Sequence, residues 1–219
     1  MHIDVISDTV CPWCYIGKRR LEQALALRPD RQVAVRWRAY QLDPYVPPEG
    51  VDRKAYIQAK FGDNPQRKQM AEALAKFGAD VGIPFAFDRI ERTPNTFNSH
   101  RLIRWAASAG VQNEMVEVLF RRYFVDGEDL GRAETLLGAT EEVGMDVNLV
   151  AELLGTDADM DLIAREIGLA RQIGVEGVPA YVVDDAYLLI GAQDPEVLAH
   201  ALDRAEARRA QMQAAAPEA

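Results

Sequence analysis

The chain opens on "HIDVISD", a short β-branched run that predicts a strand over residues 2–7. Residues 12–28 come next with a helical stripe at Cys14, Gly17, Leu21, Ala24 and Leu25, and the helix stops before Pro29. "QVAVRWRAYQL" then alternates: Val33, Val35, Trp37, Ala39 and Gln41 share one face against polar neighbours, which is the period of a strand. Strand, helix and strand in this order make a βαβ unit with parallel pairing and a right-handed crossover.

The pattern changes at Asp43. "DPYVPPEGVD" is a proline-rich connector, and the long stretch after it is almost entirely helical in period, with helices expected near 52–61, 65–80, 96–109, 111–125, 131–143, 146–154 and 157–173. Gly62, Pro65, Gly110, Gly144, Gly155 and Gly174 punctuate several of their ends. Strand pattern returns only in "VPAYVVDDAYLLIG", where Ala180–Val183 and Tyr187–Ile190 flank Asp184–Asp185 as the arms and turn of a hairpin. "DPEVLAHALDRAEARRAQ" closes the chain as a helix with Asp194 as cap and Pro195 at its first position, and the tail "MQAAAPEA" is expected to fray.

βαβ at one end and ββα at the other is the order of a thioredoxin-like α/β fold with a mixed sheet, and the helical block is then a large insertion between its halves. An ordinary α/β domain followed by a separate helical one would leave the last hairpin with no sheet to join. The expected division is a thioredoxin-like domain from 1–42 and 175–213, an all-helical insertion over 52–174, and a frayed tail at 214–219.

Composition narrows the classes of partner. With 48% hydrophobic and 27% charged residues the chain is an ordinary globular protein, and its net charge of −9 repels phosphate backbones and anionic lipid. Neither nucleic acid nor a membrane is therefore an expected partner. "HIDVISD" directly after Met1 has no basic stretch, apolar run or small-residue cleavage site, so no secretory signal is expected, and no apolar run approaches the ~20 residues that span a bilayer. The expected location is cytoplasmic, where thiols are kept reduced; a periplasmic chain stripped of its signal is the alternative.

The two cysteines of the chain stand three apart in "CPWC". At the start of a helix such residues lie on one side, with Cα atoms roughly 5 to 6 Å apart, within reach of a disulfide. Pro12 loses nothing in the first turn, because its missing N–H would be unpaired there. Cys11 falls at the N-cap, facing free backbone N–H groups and the positive end of the helix dipole, which lowers a thiol pKa. Cys14 begins the buried stripe. The expectation is an exposed nucleophile, Cys11, and a sheltered resolving thiol, Cys14. Lys18, Arg19 and Arg20 lie too far along to activate Cys11, and at least two of them are expected on a solvated face. Asp8 reads as a strand-ending turn residue, with a role in shifting a cysteine pKa or relaying a proton as the alternative. Half of a zinc site is disfavoured: zinc wants about four ligands, and His2, His100 and His200 are not in ligand spacing, so no metal is expected. Two inert buried cysteines remain the bland reading.

Far downstream, "GVPAYVV" sets Val178–Pro179 directly before a strand. In a thioredoxin-like fold that strand brings Pro179 beside the cysteine turn, and a cis Val178–Pro179 bond would present the Val178 backbone to a substrate strand.

"SDTVCPWCYIGKRRLE", "NTFNSHRLIRWA", "GVEGVPAYVV" and "IGAQDPEVL" together resemble the DsbA-like thioredoxin-fold family, and within it the FrnE-type cytoplasmic oxidoreductases. The resemblance implies a disulfide oxidoreductase or isomerase with Cys11 as nucleophile, Cys14 as resolving thiol and Pro179 in cis. It needs no cofactor, and its partners are disulfide-containing proteins or peptides and glutathione or another thiol reductant. DsbA-like proteins commonly carry Pro-His between the cysteines; here Pro12 and Trp13 take those tuning positions, so the redox potential does not carry over. The chain is also similar to 2-hydroxychromene-2-carboxylate isomerases and kappa-class glutathione transferases. These typically have Ser or Thr in place of Cys11 and activate glutathione. That likeness implies a glutathione or substrate cleft near Asn98, His100, Gly191, Ala192 and Gln193. Against it, "GAQDP" reads more readily as a turn and helix cap, and His100 as a satisfied helical histidine. Three functions are compatible with these residues: thiol–disulfide exchange, a glutathione-dependent isomerase or transferase acting on small electrophiles, and a non-enzymatic peptide-binding chaperone.

Overall fold

The computed structural model describes residues 1–64 and 66–215; Pro65, expected to open a helix, and residues 216–219 of the tail expected to fray lie outside the described residues. In chain order the elements are β1 (His2–Ser7), α1 (Pro12–Ala26), β2 (Ala34–Ala39), β3 (Val51–Asp52), α2 (Arg53–Phe61), α3 (Gln66–Asp80), β4 (Arg92–Thr93), α4 (Phe97–Ser108) and α5 (Gln112–Arg121). A π-helical turn (Arg122–Asp126) is next, then α6 (Ala133–Glu142), α7 (Val147–Leu154), α8 (Met160–Gln172), β5 (Ala180–Val183), β6 (Tyr187–Ile190) and α9 (Pro195–Ala215).

The two ends of the chain build one mixed sheet in the order β2-β1-β5-β6, a thioredoxin-like arrangement. β2 runs parallel to β1 with Trp37 opposite Val5, and β5 runs antiparallel to β1 with Tyr181 opposite the same Val5. β6 returns on β5 through a turn in which Asp184 (φ 50) and Asp185 (φ 55) are both left-handed, the backbone a tight hairpin needs and one that Asp tolerates. α1 ends at Ala26, two residues short of the expected span, and the ladder of β2 covers only the middle of the alternating stretch.

Ile3, Val5, Trp37, Tyr181 and Val183 point to one side of the sheet and join α1 and α9 residues in a single apolar cluster, while Ile6, Tyr40 and Ala180 pack on Ala170 of α8 on the other. That first cluster continues without a break into the helical segment. Tyr15 of α1 stacks on Phe120 of α5 with centroids 5.0 Å apart, and Phe120, Phe124, Phe85 and Phe87 extend the aromatic column.

Three local differences from the sequence pattern have identifiable causes. The stretch expected as one helix, 111–125, is α5 followed by the π turn, which stops where Gly127 (φ 78) sits against Arg89: a Cβ there would lie 2.6 Å from Arg89 Cβ. Only glycine fits that close approach. Within the segment expected to be wholly helical, β3 and β4 form a two-residue ladder, too short to leave a periodic signature. The expected helix 157–173 begins at Met160, after Asp159 adopts a left-handed conformation. Asp52 and Asp146 cap α2 and α7, each carboxylate accepting backbone N–H groups of the first turn. Among the described residues no helix is long and apolar enough to cross a membrane.

Candidate active site

β1 ends in a tight turn that delivers Cys11 to the N-cap of α1. The Cys11 N–H donates to the Asp8 carbonyl (3.0 Å), and the Cys11 carbonyl accepts the N–H groups of Cys14 (3.0 Å) and Tyr15 (3.4 Å), with Pro12 in the first turn. Both cysteines are free thiols. The expectation of an exposed Cys11 is not met: it is 4% exposed and Cys14 is fully buried. Nor does the Cys11 side chain face the free N–H groups of the helix. Its Sγ–H donates to the Val178 carbonyl at 3.6 Å, and no side-chain cap bond is made. A reduced thiol is a donor, so a carbonyl brought from 167 residues away suits it better than a row of other donors. The Val178–Pro179 bond is cis, and the pairing of β5 with β1 carries Pro179 against α1, where its Cγ lies 2.8 Å from the position a Cβ of Gly17 would take.

Burial pushes the Cys14 thiol well above its ordinary value, and the neighbouring Cys11 adds to the shift through hydrogen bonding and charge; the Ser7 hydroxyl and the Asp8 backbone pull the other way and lose. Burial also raises the phenols of Tyr15 and Tyr181, and it pushes Tyr123 up to about 12. All four groups keep their protons longer folded than unfolded. Their contribution is therefore complete below pH ~9 and is lost as pH climbs toward the folded values, because the unfolded chain releases its protons first. The urea midpoint of the reduced protein is expected to hold up to about pH 9 and to fall between about pH 9 and 12. A midpoint unchanged at pH 11 would contradict this.

Trp13 is half-buried because α3 reaches over the cysteine turn, with its ring centroid 5.6 Å from that of Phe77. The basic run just beyond Cys14 is not a solvated face, as the spacing suggested. Lys18 is 2% exposed and pairs with Glu22 and with Glu117 (3.0 Å). Arg19 bonds Glu117 at 2.5 Å. Arg20 bonds the Ala192 carbonyl at 2.5 Å and Asp194 at 3.1 Å, and its guanidinium covers the Phe77 ring. Two carboxylates from outside the first turn, Glu117 and Asp194, thus draw these cations in; neither is visible as a partner from sequence spacing.

Arg20 also locates the Gly191–Ala192–Gln193 turn. The Gly191 N–H donates to the Pro179 carbonyl (2.7 Å), so this turn borders the cysteine site. Asp194 stands at the expected cap position directly before Pro195, its carbonyl accepting the Leu198 N–H (3.2 Å), and its carboxylate pairs with Arg20. Asn98 and His100 serve other purposes. The Asn98 amide oxygen accepts from Arg101 (2.9 Å), and the buried His100 lies with Nε2 2.8 Å from the Tyr40 carbonyl and 3.4 Å from Asp8 Oδ1. His100 and Ser99, which bonds Thr9 at 2.8 Å, fasten α4 to the turn before Cys11 from behind. The Asp8 carboxylate accepts the Leu42 N–H (2.8 Å) through Oδ2, and its Oδ1 faces His100.

Folding brings together His2, Asp4 and Asp185, with ligand atoms within 4.8 Å of one another, a cluster that sequence spacing did not foresee. Asp4 accepts from both Arg36 (2.8 and 2.6 Å) and Arg38 (2.7 Å), which neutralise it and make the cluster an ion-pair network. Two residues at the cysteines were not foreseen as part of the site: Gly17, one turn beyond Cys14 and read only as a member of the buried stripe, and Tyr181, two beyond Pro179. Their only sequence signals are a glycine inside a helix and a polar aromatic in an apolar strand.

The DSBA-like thioredoxin domain family matches residues 2–203. A probable DsbA oxidoreductase from Streptomyces coelicolor is 31% identical, with a TM-score of 0.86 over 94% of this chain and 90% of that one. The uncharacterized protein YwbO of Bacillus subtilis (strain 168) is 24% identical across 92% of this chain and 96% of its own length. The cytosolic disulfide reductase DsbM from Pseudomonas aeruginosa, in a structure with GSH, shares the fold at 17% identity, with a TM-score of 0.63 over 97% of this chain and 99% of that one. The cysteine turn meeting a proline-led strand is thus set in a frame shared along nearly the whole chain, which belongs to the DsbA-like thioredoxin domain family.

Proposed function

We propose that the protein is a thiol–disulfide oxidoreductase or isomerase that exchanges disulfides with proteins, peptides or small thiols through Cys11 and Cys14. The observation that carries this reading is the placement of two free thiols in the first turn of α1, with Cys11 Sγ held 3.6 Å from the carbonyl of the cis Val178–Pro179 peptide. Cys11 attacks a substrate disulfide and forms a mixed disulfide; Cys14 then displaces it and leaves a Cys11–Cys14 disulfide, and the reverse sequence oxidises a dithiol. Pro12 and Trp13 tune the pair, and the Val178 carbonyl, released when Cys11 reacts, is left to receive a substrate backbone. The FrnE-type motifs support a cytoplasmic setting, with glutathione or another thiol as reductant and no bound cofactor.

A glutathione-dependent isomerase or transferase is the second reading. It is favoured by the Gly191–Ala192–Gln193 turn, which is tied to Pro179 and Arg20 and so borders the thiols. Glutathione lying along that turn would set its own thiol toward Cys11.

Equilibration in glutathione buffers with thiol trapping separates the two. The expected result is an intramolecular Cys11–Cys14 disulfide with a single two-electron midpoint between about −120 and −270 mV. A persistent glutathione adduct on Cys11, with no internal disulfide at any ratio, would replace the exchange reading with the second.

A further inference from the structure

Tyr181 lies in β5 between Val5 and Leu189, and it is fully buried. Its ring belongs to the main apolar cluster with Cys11, Cys14 and Ile16. Among the described residues its hydroxyl has no hydrogen-bond partner. A buried, unpaired hydroxyl is costly, and a phenylalanine would fill the same space without that cost. The fold nevertheless makes room for it. The Tyr181 oxygen lies 2.4 Å from where a Cβ of Gly17 would stand, closer than any other side chain on α1 at that position would allow. Gly17 is one turn beyond Cys14 on the same helix, and Pro179 closes the third side of the space.

Gly17 and Cys14 are three apart on one face of α1, so the hydroxyl in the Gly17 notch lies on the Cys14 side of the helix. Besides burial, charge on Cys14 and then on Cys11 would push the Tyr181 phenol further up, against the pull of Arg20. Tyr181 therefore keeps its proton throughout the working range and remains able to donate. In the resting dithiol no acceptor among the described residues, the Cys14 sulfur included, makes a hydrogen bond with it. The missing acceptor appears once during exchange, when Cys14 loses its proton to attack the mixed disulfide. The helix dipole is weaker one turn in from the N-cap, and burial keeps the Cys14 thiol protonated.

We propose that the Tyr181 hydroxyl is a catalytic hydrogen-bond donor to the Cys14 thiolate in the resolving step, its orphan state in the dithiol being the counterpart of that role. The inference rests on the exchange function proposed above and assigns to it a residue outside the cysteine turn. With glutathione disulfide as oxidant, the Cys11 thiol gives up its proton and attacks one sulfur, forming a Cys11–glutathione disulfide, and the departing glutathione thiolate takes up that proton. Cys14 then gives up its proton, which ends on the second departing glutathione sulfur. The Cys14 sulfur bonds Cys11 as the Cys11–glutathione bond breaks. Two electrons pass from the cysteine pair to one glutathione disulfide, yielding two glutathione thiols and one internal disulfide. Tyr181 changes no bond in this sequence; it stabilises the charge on Cys14 while that charge exists.

The test is Tyr181→Phe in the full chain, mixed with glutathione disulfide and followed by acid quench and mass spectrometry, which separates adduct formation from adduct resolution. The expected result is an unchanged rate of Cys11 adduct formation, a resolution step slower by about tenfold or more, and a transient adduct that accumulates. The reduced variant is also expected to melt no lower than the wild type, since it loses an unpaired buried hydroxyl. Resolution as fast as in the wild type overturns the assignment. Equal slowing of both steps overturns it as well, by showing a structural role, and so does a melting temperature several degrees lower, which would mean that the hydroxyl is already bonded in the resting protein. If the wild type itself stops at the adduct, the exchange function fails and takes this inference with it, an outcome distinguishable because it needs no variant.

Discussion

Cys11→Ser is expected to abolish disulfide exchange, with a loss of about three orders of magnitude or more, while Cys14→Ser is expected to keep the first chemical step and stop there. The asymmetry comes from position. Cys11 lies at the N-cap of α1 with its thiol against Val178 at the junction of two chain segments, whereas Cys14 sits beneath the first turn with no exposed surface and a thiol kept protonated by burial. Burial suits a resolving thiol, because an external disulfide reaches Cys11 before Cys14. In Cys14→Ser, glutathione disulfide should load Cys11 with one glutathione that only added reductant removes, visible as a single adduct by mass spectrometry. In Cys11→Ser neither the adduct nor the internal disulfide should form. Retained activity in Cys11→Ser, or adduct formation mapped to Cys14 in the wild type, would reverse the roles.

The second large effect is structural. Arg101→Ala is expected to cost about 4 kcal/mol of folding stability, read from urea denaturation. Arg101 is 2% exposed, and its guanidinium donates to the Leu153 carbonyl (2.7 Å), the Thr156 carbonyl (2.7 Å), the Ala158 carbonyl (2.8 Å) and Asn98 (2.9 Å) while lying over the Trp105 ring. It therefore satisfies the carbonyls left over where α7 ends and the chain bends toward α8. Truncation strands three carbonyls at once, each costing roughly 1–3 kcal/mol when left dry. Arg101→Lys should recover little of the loss, since a single ammonium cannot reproduce the planar fork. A cost below about 1 kcal/mol would mean that water replaces the side chain. Asn98 belongs to this network, which is why it holds the helical segment together instead of lining the cysteine site.

Much of the fold was readable because it rests on local pattern. The β-branched run of β1, the alternation around Trp37, the Asp184–Asp185 turn and the stripe from Cys14 to Leu25 each announce an element through a period set by backbone geometry alone. Cys11 at the N-cap and Pro12 in the first turn obey the same local rules. The π turn after α5 and the short β3–β4 ladder were not readable, because each depends on one contact between distant residues: Gly127 against Arg89, and Val51 opposite Thr93. The exposure of Cys11 and the setting of Lys18 were misjudged for a related reason, since helical spacing says which way a side chain points and not what is brought to meet it.

The sequence by itself determined the order of the main strands and helices, the placing of Cys11 and Cys14 at a helix start and a proline at the head of a later strand, because these depend on neighbours within a turn or two. Only the tertiary structure decided what surrounds the two sulfurs: the Val178 carbonyl on Cys11, Phe77 over Trp13, the Gly191–Gln193 turn on Pro179, and the unpaired hydroxyl of Tyr181 in the space left by Gly17. Apart from the one between Gly191 and Pro179, those contacts join residues from about 60 to about 170 positions apart in the chain. Their chemistry is set by burial and by who else is buried there, and local periodicity carries no record of either.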